Sequence, residues 1–178
     1  MKDAALAAFR TLVPKPGDPE ISALLAAGEN ARVEFKSSAR WDLRENKKNT
    51  MMEQIILKTV AAFLNSDGGT LLLGVSDDGA ALGLAHDYQT LQKKNADGYE
   101  LFLTDLLLNH YGKDCSPCVH ITFHQLEAKQ ICRIRVDPAS RPVWVKEGDD
   151  QLYIRSGNST RRLMTKEAID YCKTRWKP

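Results

Sequence analysis

Apolar residues recur along this chain in two rhythms, and the places where the rhythm changes divide it into elements. Val33 and Phe35 alternate with Glu34 and Lys36, the period of two that buries one face of a strand and sends Glu34 and Lys36 out together. Met52, Ile55, Ile56, Thr59, Val60, Phe63 and Leu64 follow at helical spacing, behind a Thr50 and Glu53 pair that fits a capping box. This stretch is the expected core helix. The turn Ser66-Asp67-Gly68-Gly69 leads into Thr70 to Val75, an almost wholly apolar run that suits a strand covered on both faces.

The same reading extends to both ends. Asp18-Pro19-Glu20 supplies an N-cap, a proline at the first helical position and an acid in the first turn, for a short helix with Ile21, Leu24 and Leu25 on one face and Gly28 at its end. Before it, Ala4 to Leu12 reads as a short helix and Pro14-Lys15-Pro16-Gly17 as a break, so residues 1–17 are expected to be an arm and hinge. A short strand is expected near Ala81 to Leu84, then a helix capped by Asp97 with Phe102, Leu103, Leu106 and Leu107 along one face. Two strand pairs follow, Val119 to Gln125 with Gln130 to Val136 and Val143 to Lys146 with Gln151 to Arg155. Thr165 opens a last helix to about Trp176. With no internal repeat, residues 18–178 read as one α+β domain with a mixed β-sheet flanked by helices. It could be a domain of a larger multidomain protein.

Composition narrows the classes. The 178 residues are 43% hydrophobic and 27% charged, which argues against disorder, collagen and a disulfide scaffold. Twenty-five basic against 23 acidic residues leave a net charge of +2, so an anion site has to come from local clustering. No apolar run reaches the roughly 18 residues of a membrane span, and the expected setting is soluble and cytoplasmic, with no membrane partner. Cys115, Cys118, Cys132 and Cys172 are too few for a stapling framework, so reduced thiols are expected.

Three constellations could carry chemistry. Glu29, Glu34 and the Asp77-Asp78 pair lie on or beside strands, and converging carboxylates can hold magnesium or manganese, with Lys36 near a scissile phosphate; the same acids also serve as ordinary turn and surface residues. Arg155 to Arg162, read as a loop between a strand and a helix, offers backbone amides, the hydroxyls of Ser159 and Thr160, and the guanidiniums of Arg155, Arg161 and Arg162 to phosphate. Lys47 and Lys48 extend this basic set. His110, Cys115, Cys118 and His120 have the residue types of a zinc site, but His110 falls on an apolar helix face and a packed histidine with two thiols is the preferred reading. Trp41, in a polar segment beside Arg40 and Arg44, is the aromatic residue best placed to stack on a base.

The segments Glu29-Asn30-Ala31-Arg32-Val33-Glu34-Phe35-Lys36, Val60 through Val75, Asp77-Asp78-Gly79, Arg141-Pro142-Val143 and Tyr153 through Thr160 closely resemble the Schlafen AlbA-like domain, in order and over nearly the whole chain. That resemblance implies a nucleic-acid-binding domain of mixed sheet and helices, alone or attached to other modules. In Schlafen proteins related domains cleave transfer and ribosomal RNA with three acids. Carried over by position, these fall on Glu29, Glu34 and Asp77, with Asp78 as a second alignment for the third. The leading expectation is binding of RNA or DNA through Lys36, Lys47, Lys48, Arg155, Ser159, Thr160, Arg161 and Arg162. The alternatives are a metal-dependent endoribonuclease on structured RNA such as tRNA, using Glu29, Glu34 and Asp77, and a protein-interaction module of a regulatory or defence protein. The related nuclease core closes two lobes around RNA, so this single lobe is expected to dimerise.

Overall fold

A computed structural model of the protein describes residues 18–177, and the expected arm and hinge fall outside them. Helix α1 (Pro19–Ala27) starts as its sequence dictates, with Asp18 accepting from the Glu20 amide at 2.9 Å and Gly28 ending it at a φ of 65°. It buries Ile21 against Val33, Phe35, Leu72, Val75 and Ile131, a small core on one face of the principal sheet. That sheet has the order β1-β4-β6-β5 and contains β1 (Val33–Lys36), β4 (Gly69–Leu73), β5 (Val119–Leu126) and β6 (Lys129–Val136). Strands β1 and β4 run parallel, with Glu34 opposite Leu71 and Lys36 opposite Leu73, while β6 is antiparallel to both its neighbours.

Between β1 and β4 lie a small hairpin, β2 (Trp41–Asp42) with β3 (Lys47–Lys48), and the long helix α2 (Met51–Leu64). The expected capping box does not form. Thr50 makes no side-chain cap, Asn49 Oδ1 accepts from the Met51 amide instead, and Glu53 turns toward Arg40 at 3.1 Å. Every residue from Val60 to Leu64 is fully buried, because α2 is covered on both sides: by the principal sheet and by a second, three-stranded sheet. A helix that is apolar all round is stable in water only when covered in this way.

The expected strand at Ala81 to Leu84 is a single bridge between Val75 and Ala81, followed by a short helix α3 (Ala85–Gln89). Helix α4 (Ala96–Tyr111) is capped by Asn95, whose side chain accepts from Gly98, and the expected cap, Asp97, pairs with Lys93 in the first turn. The second sheet is the antiparallel meander β7 (Trp144–Glu147), β8 (Asp149–Ser156) and β9 (Ser159–Leu163), followed by α5 (Thr165–Arg175). The mixed sheet is therefore accompanied by a separate antiparallel one. The basic segment from Arg155 to Arg162 is the β8–β9 hairpin rather than a loop into a helix, with Gly157 taking the positive φ of 60° that a two-residue turn with glycine first requires. Among the described residues no helix is long and apolar enough to cross a membrane.

One side chain ties α2 to the second sheet. Asn65, buried at the C-terminus of α2, donates to the carbonyls of Val143 (2.8 Å) and Tyr153 (2.9 Å) and accepts from the Val143 amide (2.8 Å). Asn65→Ala leaves three buried backbone groups unpaired. At about 1 to 3 kcal/mol each, with partial relief by water, we expect a loss of about 3 kcal/mol or more, read as a lower urea midpoint. Substitution of the exposed Asn158 should leave the stability within about 0.5 kcal/mol of the wild type.

Candidate nucleic-acid interface

The turn before β1 folds the chain back on itself. Asn30 and Val33 exchange backbone hydrogen bonds at 2.9 and 3.4 Å, and Asn30 Oδ1 accepts from the Arg32 amide at 2.8 Å. This return places Glu29 beside the outer edge of the strand that follows. Its Oε1 accepts from the Phe35 amide at 2.9 Å, while Lys36 Nζ donates to the Phe35 carbonyl at 2.9 Å. Strand alternation sends Glu34 and Lys36 to the same face, where Lys36 Nζ lies 2.6 Å from Glu34 Oε1 and 3.9 Å from Glu29 Oε1.

The second sheet delivers Arg155 to the same place. Its backbone amide is held by the Ser66 hydroxyl at 2.9 Å, and its guanidinium lies 4.9 Å from the ring centroid of Phe63. From there one terminal nitrogen donates to Glu34 Oε2 at 2.9 Å and Thr160 Oγ1 at 3.1 Å, and the other to the Asn30 carbonyl at 2.8 Å. The Arg155 side chain is 2% exposed and that of Glu34 12%. The strand-borne pair and the basic hairpin thus border one site. The role of Arg155 is different from the expected one. Its terminal nitrogens are engaged by protein groups and its surface is covered, which removes it from direct phosphate contact in this arrangement.

The same geometry bears on a divalent ion. Glu34 spends one oxygen on Lys36 and the other on Arg155, and Glu29 spends one on a backbone amide. Among the described residues no three His, Cys, Asp or Glu side chains are gathered as a metal would need. Asp77 is exposed in the turn after β4, and Asp78 is a turn residue: its carboxylate accepts from Ser76, which holds it below the usual carboxylate range. As arranged here, these acids do not fit a hard cation, which needs free carboxylate oxygens.

The other expected contacts lie further out. Arg161 and Arg162 are exposed on β9 at adjacent, hence oppositely facing, positions, opposite Ile154 and Tyr153. Ser159 and Thr160 are half-buried beside the turn. Lys47 and Lys48 are exposed on β3, with Lys47 2.5 Å from Glu45, whose carboxylate raises the lysine pKa. Trp41 is half-buried and stacked on His86, with 5.5 Å between centroids and 13° between planes. The residues weighed for zinc are dispersed: His110 Nε2 accepts from the Lys146 amide at 3.1 Å, His120 lies 2.9 Å from Asp137, and Cys115 is buried near the Tyr111 carbonyl.

Sequence reasoning missed Asn30 and Phe63 as parts of the site. Only the phase of β8, which puts Arg155 on the inward face of Tyr153, signals that the arginine is buried.

A solved structure, that of the DIP2311 protein from Corynebacterium diphtheriae, superposes on this chain with a TM-score of 0.58 at 19% identity, covering 87% of this chain. The matched part is 31% of that protein's chain, so this sequence spans under a third of the larger molecule it resembles. A likeness at this identity speaks to the fold. A family model described as Schlafen, AlbA_2 matches residues 29–165, from the glutamate that blocks the edge of β1 to the first residue of α5. Since that match takes in both sheets and the Glu34–Arg155 junction between them, the chain belongs to the Schlafen AlbA_2 family.

Proposed function

We propose that this domain binds RNA or DNA by phosphate contacts along the β8–β9 hairpin and the neighbouring basic surface, and that the Glu34–Arg155 pair holds the hairpin in place for that purpose. Membership of the family points to a nucleic-acid-related function. The observation that carries the finer reading is the division of charge. Lys36 and Arg155 are paired with Glu34 and Glu29, whereas Arg161 and Arg162 stand exposed with no carboxylate at ion-pair distance among the described residues. Free guanidiniums flanking a hairpin whose tip carries Ser159 and Thr160 suit a phosphodiester, which both arginine forks and hydroxyls can recognise. Lys48 on β3 offers a further contact. Two copies would double a surface that is small in one, and light scattering with and without RNA tests that arrangement.

Cleavage is the second reading, and it carries a requirement. Glu29 and Glu34 would have to release their present partners, and the exposed Asp77 would have to join them, to hold magnesium or manganese. The doubly paired state of Glu34 favours contact over chemistry.

Two measurements separate these readings. Combining Arg161→Ala with Arg162→Ala should weaken binding to RNA or DNA and flatten the plot of log affinity against log salt by about 1.5, two phosphate contacts at roughly 0.7 to 0.9 each. An unchanged slope would count against hairpin contact. Glu34→Gln removes the charge facing a buried arginine and should cost on the order of 3 kcal/mol of stability. Binding measured where the variant remains folded should be kept, because Glu34 is not a phosphate contact. Cleavage of structured RNA by the wild type that needs magnesium or manganese, and is lost in folded Glu34→Gln, would instead establish the nuclease.

A further inference from the structure

Six buried side-chain polar atoms lack a hydrogen-bond partner among the described residues, and four belong to Arg40, Trp41, Glu53 and Gln54. Arg40 and Glu53 meet where the segment after β1 crosses the first turn of α2, which also carries Gln54. Arg40 lies 3.1 Å from Glu53 and places its guanidinium 4.3 Å from the ring centroid of Phe102 on α4. Glu53 Oε1 is met by the Arg40 guanidinium as an ion pair, but Gln54 Oε1 has no hydrogen-bond partner among the described residues, and a buried polar atom left so costs on the order of 1 to 3 kcal/mol.

Gln54 connects this cluster to a cleft. Its orphaned Oε1 belongs to a side chain that, with Leu57, forms the α2 wall of a cleft of about 410 Å³, and α4 supplies Phe102, Leu106, Asn109 and His110 opposite. The volume lies in the range of small-ligand sites. The polar groups are mixed in kind, and they include the exposed carboxylate of Asp105. Gln54 Oε1 calls for a hydrogen-bond donor such as an N–H, and the Asn109 amide can both donate and accept. His110 Nε2 accepts from the Lys146 amide, which puts the ring proton on Nδ1, and burial lowers the pKa so that this neutral form prevails. Leu57, Leu106 and Phe102 give an apolar floor for a flat ring.

An N–H donor and a nearby acceptor on one edge of a planar heterocycle are the pattern of a nucleobase. We propose that the α2–α4 cleft receives one unstacked nucleobase, whose N–H edge pairs with Gln54 Oε1 when that side chain turns outward into the cleft. This inference rests on the nucleic-acid reading where the base belongs to a strand; a free nucleotide would present the same edge.

The test uses the full chain with four probes: the separate nucleoside monophosphates, a single-stranded 12-mer of RNA, the same length in DNA, and an abasic 12-mer. Gln54→Leu is the variant, and it should fold at least as well because it removes a buried unpaired oxygen. If the strand supplies the base, wild-type protein should bind one of the base-bearing oligomers about tenfold more tightly than the abasic one. Gln54→Leu should erase that difference and leave the salt slope unchanged. The Gln54 side-chain amide and the His110 ring signals should shift on binding in NMR spectra. If a monophosphate alone shifts these signals and no oligomer binds, the cleft takes free nucleotide and the polynucleotide reading fails while this proposal stands. Equal affinity for abasic and base-bearing strands, with Gln54→Leu silent and no shift from any monophosphate, would mean that water alone fills the cleft. That outcome overturns the proposal and leaves phosphate binding intact. No binding to any probe overturns both.

Discussion

The architecture depends on the double coverage of α2. With Val60 to Leu64 fully buried, the helix can end only where its last polar groups find partners inside the protein, and its C-terminus becomes a junction. Asn65 ties in β8 and Val143, the residue before β7, its carbonyl accepts from Tyr171 on α5 at 2.6 Å, and Ser66 holds the amide of Arg155. Even the following glycine is set by this helix, since a Cβ at Gly69 would lie 2.3 Å from the Phe63 ring. Phe63 then supports the guanidinium that reaches Glu34. The position of the hairpin over β1 is thus a consequence of how one buried helix stops.

That route explains why the charged groups divide into two kinds. A buried pair gains from mutual attraction but gives up the hydration of both ions, and it holds only with further hydrogen bonds such as those from Arg155 to Asn30 and Thr160. Charges committed in this way position the backbone. Those left in water at Arg161, Arg162 and Lys48 are free to meet an anion, and their attraction is screened by salt.

Much of the fold was legible from periodicity. Strand β1, helix α2, the fully covered β4 and both long hairpins follow from apolar spacing, because burial on one side or two leaves a pattern. Strand β9 did not: Ser159-Thr160-Arg161-Arg162-Leu163 has no apolar alternation, and its pairing is dictated by the turn at Gly157 and by β8. The caps failed for a local reason. Glu53 and Asp97 stand where a cap would suit, but Arg40 and Lys93 are within reach and offer a full positive charge. At the site, the shared face of Glu34 and Lys36 was readable, whereas the direction of Arg155 was set by residues more than a hundred positions away.

The motif that opens the family match has a second consequence, one of self-association. An unpaired strand edge invites another chain to add to it. Along β1 the outward backbone groups are already taken: Val33 exchanges both of its hydrogen bonds with Asn30, the Phe35 amide goes to Glu29 and its carbonyl to Lys36. The glutamate and lysine that attract attention as chemistry therefore also close a sheet margin to intruding strands. An assembly built by sheet extension through the principal sheet would have to grow from β5, at the opposite edge from the Glu34–Arg155 junction.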